Sequence, residues 1–319
     1  MNTISYLESK VLNGGAITFE ESIELSKVDD INSLLEASLK IKLKFKPSSA
    51  CLCTVVNAKS GSCSENCKYC AQSVYYSTGI EEFELLSTEE ILKKAKYNES
   101  KGATSFSMVV SGKGLNYNEL EQLIDTVRTL KQETKLELCA SLGIMSYDKL
   151  VQLKEVGLSS YHHNLQTSRN YFNQIINTHS YDDRINTIKA AQEAGLKICS
   201  GGIIGLGETM MDRLDLAFQV KDLGINCIPI NCLIPIKGTP LENVQPISKE
   251  DILKTVALFR FINPNSNILW AAGRDYLKGY EILGFKAGFS AIITGNMLTT
   301  GGHQITEDLA MLNKLSSIV

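Results

Sequence analysis

The chain reads as an α/β protein, a (β/α)8 TIM-type barrel preceded by a helical extension. Apolar, β-branched runs alternate with amphipathic stretches of helical length, and eight such runs are found. With 319 residues the chain is long for one core unless that core is a barrel. Strands separated by helices imply parallel βαβ units with right-handed crossovers. A doubly wound open sheet is the other arrangement with this element order. The expected organisation is a helical extension over 1–45, the barrel over 46–302 and a helical tail over 303–319.

The extension contains the amphipathic stretches FEESIELSKV and INSLLEASLKIKLKF. The expected strands are 51–57, 105–110, 136–141, 159–164, 197–203, 227–233, 267–273 and 290–294. Between them lie helix patterns such as STEEILKKAKYNESKG, NELEQLIDTVRTLKQE, YDDRINTIKAAQEAG and SKEDILKTVALFRFI. Ser87 and Ser248 have the character of N-caps, each followed closely by acids. Gly102, Gly195 and Gly224 stand where a helix C′ glycine belongs. In a barrel of this kind the functional face lies at the strand C-termini.

Hydrophobic residues make up 44% and charged residues 21%, an ordinary globular balance. The net charge of −3 gives no general electrostatic case for binding nucleic acid or an anionic membrane. No apolar run approaches the ~20 residues that span a bilayer. The N-terminal MNTISYLESKVLNGG lacks the basic and apolar regions of a signal peptide, so a cytoplasmic location is expected. Nine cysteines then point to metal binding or catalysis rather than to disulfides.

Three of them form a C-x3-C-x2-C loop directly after the first strand: Cys63, Cys67 and Cys70 in GSCSENCKYC. Soft thiolates suit an iron–sulfur cluster. Three ligands for four irons leave one iron open as a binding site. Zinc is the alternative, but it normally takes four closed ligands, and no second C-x2-C pair follows. His162 and His163 are the residues available to complete such a site.

The loop resembles the signature of the radical S-adenosylmethionine (SAM) superfamily, with Tyr69 beside the last cysteine. The resemblance extends through NAKSGSCSENCKYCAQS (57–73), YHHNLQTS (161–168), KICSGGIIGLGET (197–209), PINCLIPIKGTPL (229–241) and AAGRD (271–275), which follow the order seen in the biotin synthase family. It implies a [4Fe–4S] cluster whose open iron chelates SAM, yielding a 5′-deoxyadenosyl radical, with dethiobiotin as substrate and biotin as product. It further implies a homodimer and a flavodoxin or ferredoxin as electron donor.

For SAM, the resemblance implies Tyr69, Asn164, Gln166, Arg184, Ile204 and Gly205. Many members carry an acid where Gln166 stands. Arg184 has the alternative of a solvated helix residue. Gly201, Gly202, Gly205 and Gly207 provide close backbone approach or positive φ after the fifth strand. For the ureido ring it implies Asn231, whose amide both donates and accepts. His162 is a second candidate there, replacing an asparagine of some members. The segment 291–300 is expected to close the site.

The resemblance also implies a sacrificial [2Fe–2S] cluster inside the barrel, held by three cysteines and an arginine. Cys139, Cys199 and Arg274 occupy three of the implied positions; the fourth is Ser107, a poor iron ligand. Side chains of period two share a strand face. That period puts Cys53 on the face of Asn57, and Cys227 on the face of Asn231. Cys51 has the same parity as Cys53 but sits lower, and Cys232 has the parity of ordinary packing. An auxiliary cluster, [2Fe–2S] or larger, is therefore expected on Cys53, Cys139 and Cys199, with Arg274 or Cys227 nearby. The alternatives are a hydrogenase-cofactor maturase of similar fold, and a non-enzymatic iron–sulfur sensor or zinc-stabilised scaffold.

Overall fold

In the computed structural model, residues 2–46 and 52–316 are described. Cys51 lies outside them. Three helices come first: α1 (Thr3–Leu12), α2 (Phe19–Ser26) and α3 (Ile31–Phe45). Then β1 (Leu52–Lys59), α4 (Thr88–Ser100), β2 (Ser105–Val110), α5 (Tyr117–Glu133), β3 (Glu137–Ser141), α6 (Tyr147–Glu155) and β4 (Ser160–His162) alternate. They are followed by α7 (Arg169–Ile175), α8 (Tyr181–Glu193), β5 (Lys197–Cys199), β6 (Gly202–Ile204), α9 (Met210–Asp222) and β7 (Cys227–Cys232). The chain continues through α10 (Lys249–Ile262), β8 (Asn267–Trp270), α11 (Glu281–Ala287), β9 (Ala291–Thr294) and α12 (Ile305–Ser316).

All the strand pairs are parallel. The strand order is β5-β4-β3-β2-β1-β9-β8-β7-β6, and the pairing of Cys199 on β5 with Cys227 on β7 closes the ring. β5 and β6 are two pieces of one barrel strand, so nine segments make an eight-position barrel and exclude the open sheet. The break at Ser200–Gly201 has a steric cause. A Cβ on Gly201 would lie 2.0 Å from the Pro229 carbonyl oxygen, and one on Gly202 would lie 2.5 Å from that of Gln166. Only glycine lets the strand approach both neighbours this closely.

The N-cap expectations for Ser87 and Ser248 are met: each hydroxyl accepts the backbone N–H three residues on, from Glu90 and Asp251. Such a cap contributes about 1 kcal/mol. Gly102, Gly195 and Gly224 all have positive φ just past their helices.

Strand parity divides the packing. On β1, Leu52, Thr54, Val56 and Ala58 are buried outward against the helices, whereas Cys53, Val55 and Asn57 face the barrel interior. Inside, Leu269, Ala271, Ala291 and Ile293 form a separate small apolar group, packed against Cys53, Val55, Cys199, Cys227 and Met297. The helical extension docks through α3 onto α10 and α11. There the Ser38 hydroxyl donates to the Ala287 carbonyl at 2.7 Å, and buried Lys42 reaches the Phe285 carbonyl at 3.4 Å. Among the described residues no helix is long and apolar enough to cross a membrane.

Candidate active site

A cavity of about 370 Å3 opens at the C-terminal ends of the strands. The loop after β1 brings Cys63, Cys67 and Cys70 to its wall together with Tyr69. Burial pushes the Cys70 thiol up to about 12 and raises that of Cys67, with nearby Arg184 opposing the latter. These thiols stay protonated until a soft metal displaces their protons. Among the described residues no three His, Cys, Asp or Glu side chains converge as they would around one metal ion. A cluster in which each thiolate takes its own iron does not require that convergence.

The loop is braced by a segment more than 100 positions away, which sequence reasoning missed. Thr178 Oγ1 donates to Glu65 Oε2 at 2.7 Å, and His179 Nδ1 pairs with the same oxygen. The Asn66 backbone N–H donates to Thr178 Oγ1, that of Asn177 donates to Asn66 Oδ1, and that of Lys68 donates to the Ile175 carbonyl. Burial raises the Glu65 carboxyl, but the Thr178 and His179 hydrogen bonds outweigh it and hold the group below its usual range. The only local signal is an acid between two cysteines; its partner is not legible from position.

Opposite the loop, β4 and its extension carry His162, His163, Asn164 and Gln166 to the cavity wall. Arg184 on α8 reaches in from behind, 8% exposed, and donates through Nη1 to the Asn164 carbonyl at 2.8 Å. Its buried Nε has no hydrogen-bond partner, nor do His163 Nε2 and Gln166 Oε1. Buried polar atoms left unpaired at a cavity are places for a ligand's own polar groups. Gln166 also has φ of 75°, an unusual conformation for a residue other than glycine. Burial, with Arg184 adding, holds the His163 imidazole well below its usual pKa and therefore neutral. His162 is lowered by burial, although its hydrogen bond with Asn164 Oδ1 at 2.9 Å opposes the shift.

Two expected contacts differ. Ile203, not Ile204, lines the cavity; Ile204 is buried in the outer core. Gly205 heads a turn wrapped around the Glu208 carboxylate, which accepts from the backbone N–H groups of Gly205 and Leu206 and is backed by Arg213. Asn231 lines the cavity, but its amide also ties strands together, donating to the Gly202 carbonyl and accepting from the Ala272 N–H. One hydrogen and one lone pair remain for a ligand.

Deeper in the barrel, four thiols gather. Cys199 and Cys227 stand with their sulfurs 3.0 Å apart. Cys139 and Cys53 are close enough to act electrostatically on Cys199. The hydrogen bond with Cys227 and then burial push the Cys199 thiol far up. Burial brings Cys139 to about 11 against the opposing influence of the nearby Ser160 and Ser107 hydroxyls. Ser107 is thus beside Cys139, its partner in the β2–β3 register.

Arg274 is a correction. It lies past the end of β8, and its guanidinium makes two hydrogen bonds to the Asp308 carboxylate on α12, at 2.7 and 2.5 Å. It also rests 5.3 Å above the Trp270 ring, on the outer side of the barrel wall. The interior positions on this strand are taken by Leu269 and Ala271. A guanidinium so held is unavailable to iron among the four thiols.

The barrel and its three-thiol loop define a radical SAM enzyme, and the family model described as "Radical SAM superfamily" matches residues 59–220. A second model, "Biotin and Thiamin Synthesis associated domain", matches residues 229–317. The chain belongs to the biotin synthase family. It is 49% identical over 317 residues to the biotin synthase of Acetivibrio thermocellus, covering 99% of each chain. It is 48% identical to that of Clostridium tetani over 98% of each. Solved structures share the fold at low identity. Methylornithine synthase superposes with a TM-score of 0.84 at 18% identity, over 98% of this chain and 96% of that one. A maturase of the [FeFe]-hydrogenase superposes with a TM-score of 0.84 at 19% identity, over 98% of this chain and 74% of that one. At that identity the maturase resemblance speaks to fold alone.

Proposed function

We propose that this radical SAM enzyme converts dethiobiotin to biotin, and that the inserted sulfur comes from an auxiliary iron–sulfur cluster held by the interior thiols. The observation that carries this reading is the stacking of two thiol groups along one barrel axis. Cys63, Cys67 and Cys70 line the cavity, and Cys53, Cys139, Cys199 and Cys227 gather deeper in the barrel, three of them packed against the apolar group that includes the cavity-lining Ile293. When bound, the [4Fe–4S] cluster and SAM supply a 5′-deoxyadenosyl radical that abstracts hydrogen from carbon, and the auxiliary cluster supplies the sulfur.

The chain's own residues bind, orient and exclude water. Arg184 brings a fixed positive charge and an unpaired N–H to the side of the cavity where the SAM carboxylate belongs. Gln166 and Asn164 offer hydrogen-bonding groups to the ribose and amine. Tyr69 closes the loop side as a neutral phenol, its pKa raised well up by burial. Asn231, with His162 on the same cavity wall, presents donor and acceptor to an uncharged cyclic urea. Val55, Ile203, Ile293 and Leu298 provide apolar walls that keep water from a radical. Arg274 is left out of the auxiliary ligand set in favour of Cys227.

The reading extends to a flavodoxin or ferredoxin as reductant, a homodimer and a cytoplasmic setting; sedimentation of the anaerobic protein checks the dimer. The deciding experiment gives anaerobically reduced protein SAM and dethiobiotin. Biotin release is the expected result. SAM cleavage without sulfur gain by dethiobiotin, and without deuterium moving from it into deoxyadenosine, would overturn the reading and favour the maturase-like chemistry.

A further inference from the structure

The segment from Gly295 to His303 is a hairpin with unusually little behind it. The Gly295 N–H donates to the His303 carbonyl at 3.0 Å, and the Met297 N–H donates to that of Thr300 at 3.1 Å. The pinch is tight: a Cβ on Gly302 would lie 1.9 Å from the Gly295 carbonyl oxygen. Its tip, Met297 to Thr300, walls the active-site cavity. The opposite side of the same hairpin walls a second cavity of about 940 Å3 toward α4, and Val55, Met297 and Leu298 line both. A partition with open space on two faces gains little from packing. What fixes it must lie at its ends. At the tip, Asn57 Nδ2 donates to the Leu298 carbonyl at 3.1 Å. At the base, the returning leg runs straight into α12, one turn along which Asp308 meets Arg274.

That pair is a buried, doubly hydrogen-bonded tether at the base of the hairpin. Both residues are at most 5% exposed, the two hydrogen bonds are parallel and charge-assisted, and Arg274 Nη1 also donates to the Ile293 carbonyl on β9 at 3.3 Å. Next to Arg274, Asp275 pairs with His303 at 3.4 Å, but Asp275 is mostly exposed and that contact contributes little. We propose that Arg274 is a positioning residue: through Asp308 it pins the 295–303 hairpin over the cavity and so sets how completely the substrate is enclosed during hydrogen abstraction. Its effect on turnover rests on the biotin synthase reading above. Its effect on the hairpin does not.

Enclosure matters because a primary carbon radical reacts with any C–H bond or reductant that reaches it. A loose hairpin therefore costs coupling: more SAM is consumed per biotin formed.

The test compares wild type, Arg274→Met, Asp308→Asn and Arg274→Lys as anaerobically purified holoproteins, by hydrogen exchange and by product ratio. In Arg274→Met and Asp308→Asn, exchange at amides 296–304 should rise by on the order of tenfold or more while that of β2–β4 stays at the wild-type rate. The half-saturating dethiobiotin concentration and the deoxyadenosine formed per biotin should rise with it, and Arg274→Lys should restore part of both. Unchanged hairpin exchange in Asp308→Asn would overturn the proposal, even if Arg274→Met does not fold. So would a rise shared equally by the whole barrel with an unchanged product ratio, which marks a general stabilising role. If wild type makes no biotin, the functional reading fails, and the exchange arm still decides the pin.

Discussion

Cys199 and Cys227 sit opposite each other in the β5–β7 register, sulfur to sulfur at 3.0 Å, at the seam where the barrel closes. Two thiols placed so closely on neighbouring strands could both reach one cluster, as the proposed function requires. Cys139 and Cys53 are close enough to act electrostatically on Cys199. Replacing Cys53, Cys199 or Cys227 with Ala should remove auxiliary iron and sulfide and abolish biotin formation, while reductive SAM cleavage continues. Ser107→Ala should cost far less. Iron and sulfide content with Mössbauer spectra would check this. An essential Ser107 with a dispensable Cys53 would mean that the oxygen ligates iron.

Loss of any one of Cys63, Cys67 or Cys70 should abolish SAM cleavage. On the proposed assignment each thiolate would hold a separate iron, so the other two would not compensate. The readout is 5′-deoxyadenosine formed by dithionite-reduced protein. Undiminished product from any of the three Ala variants would sink the assignment.

Arg184 offers a charge and an unpaired N–H to an anionic group in the cavity. Hydrogen bonds to charged groups contribute about 1.5–3 kcal/mol, so Arg184→Met should weaken SAM binding roughly 10- to 100-fold. Arg184→Lys keeps the charge but loses the planar fork and should fall between the two. Equilibrium binding of SAM measures this directly. An unchanged SAM affinity would show that the arginine serves only the Asn164 carbonyl and the cluster loop.

The barrel was legible because period two and helical period alternate cleanly along the chain, and the inward faces of Cys53 and Cys227 follow from the same counting. The fifth strand reads as one run, and its break appears only when Pro229 and Gln166 are seen to press on Gly201 and Gly202. Arg274 shows a signal that was present but outweighed. Period two counted from Leu269 puts it on the outer face with Trp270, yet the family resemblance points inward. Its true partner, Asp308, belongs to a helix 34 residues on, a distance at which no local pattern speaks. The Glu65–His179 brace was hidden for the same reason.

Lys42 carries the clearest pH dependence. It is 4% exposed, and among the described residues it is held by the Phe285 carbonyl and by the Phe285 ring 5.0 Å away. Burial first, and then repulsion from Arg260, lower its pKa from 10.5 to about 8. Below pH 8 the amine is charged in the folded and the unfolded chain, and the folded state bears the whole desolvation cost. Between pH 8 and 10.5 the folded chain releases the proton while the unfolded chain keeps it. The unfolded state then binds more protons, so this group's contribution to stability rises with pH. Above 10.5 both forms are neutral and the cost has gone. Lys42→Met removes the ionisable group and keeps most of the apolar stem. It should therefore be more stable than wild type at pH 7, by at most about 3 kcal/mol. That advantage should shrink steadily from pH 8 toward pH 10. Urea midpoints of the two anaerobic proteins, taken as a difference at each pH, cancel the clusters' common contribution. A difference constant across that range would mean that Lys42 keeps an ordinary pKa, and that the α3–α11 contact is wetter than its burial implies.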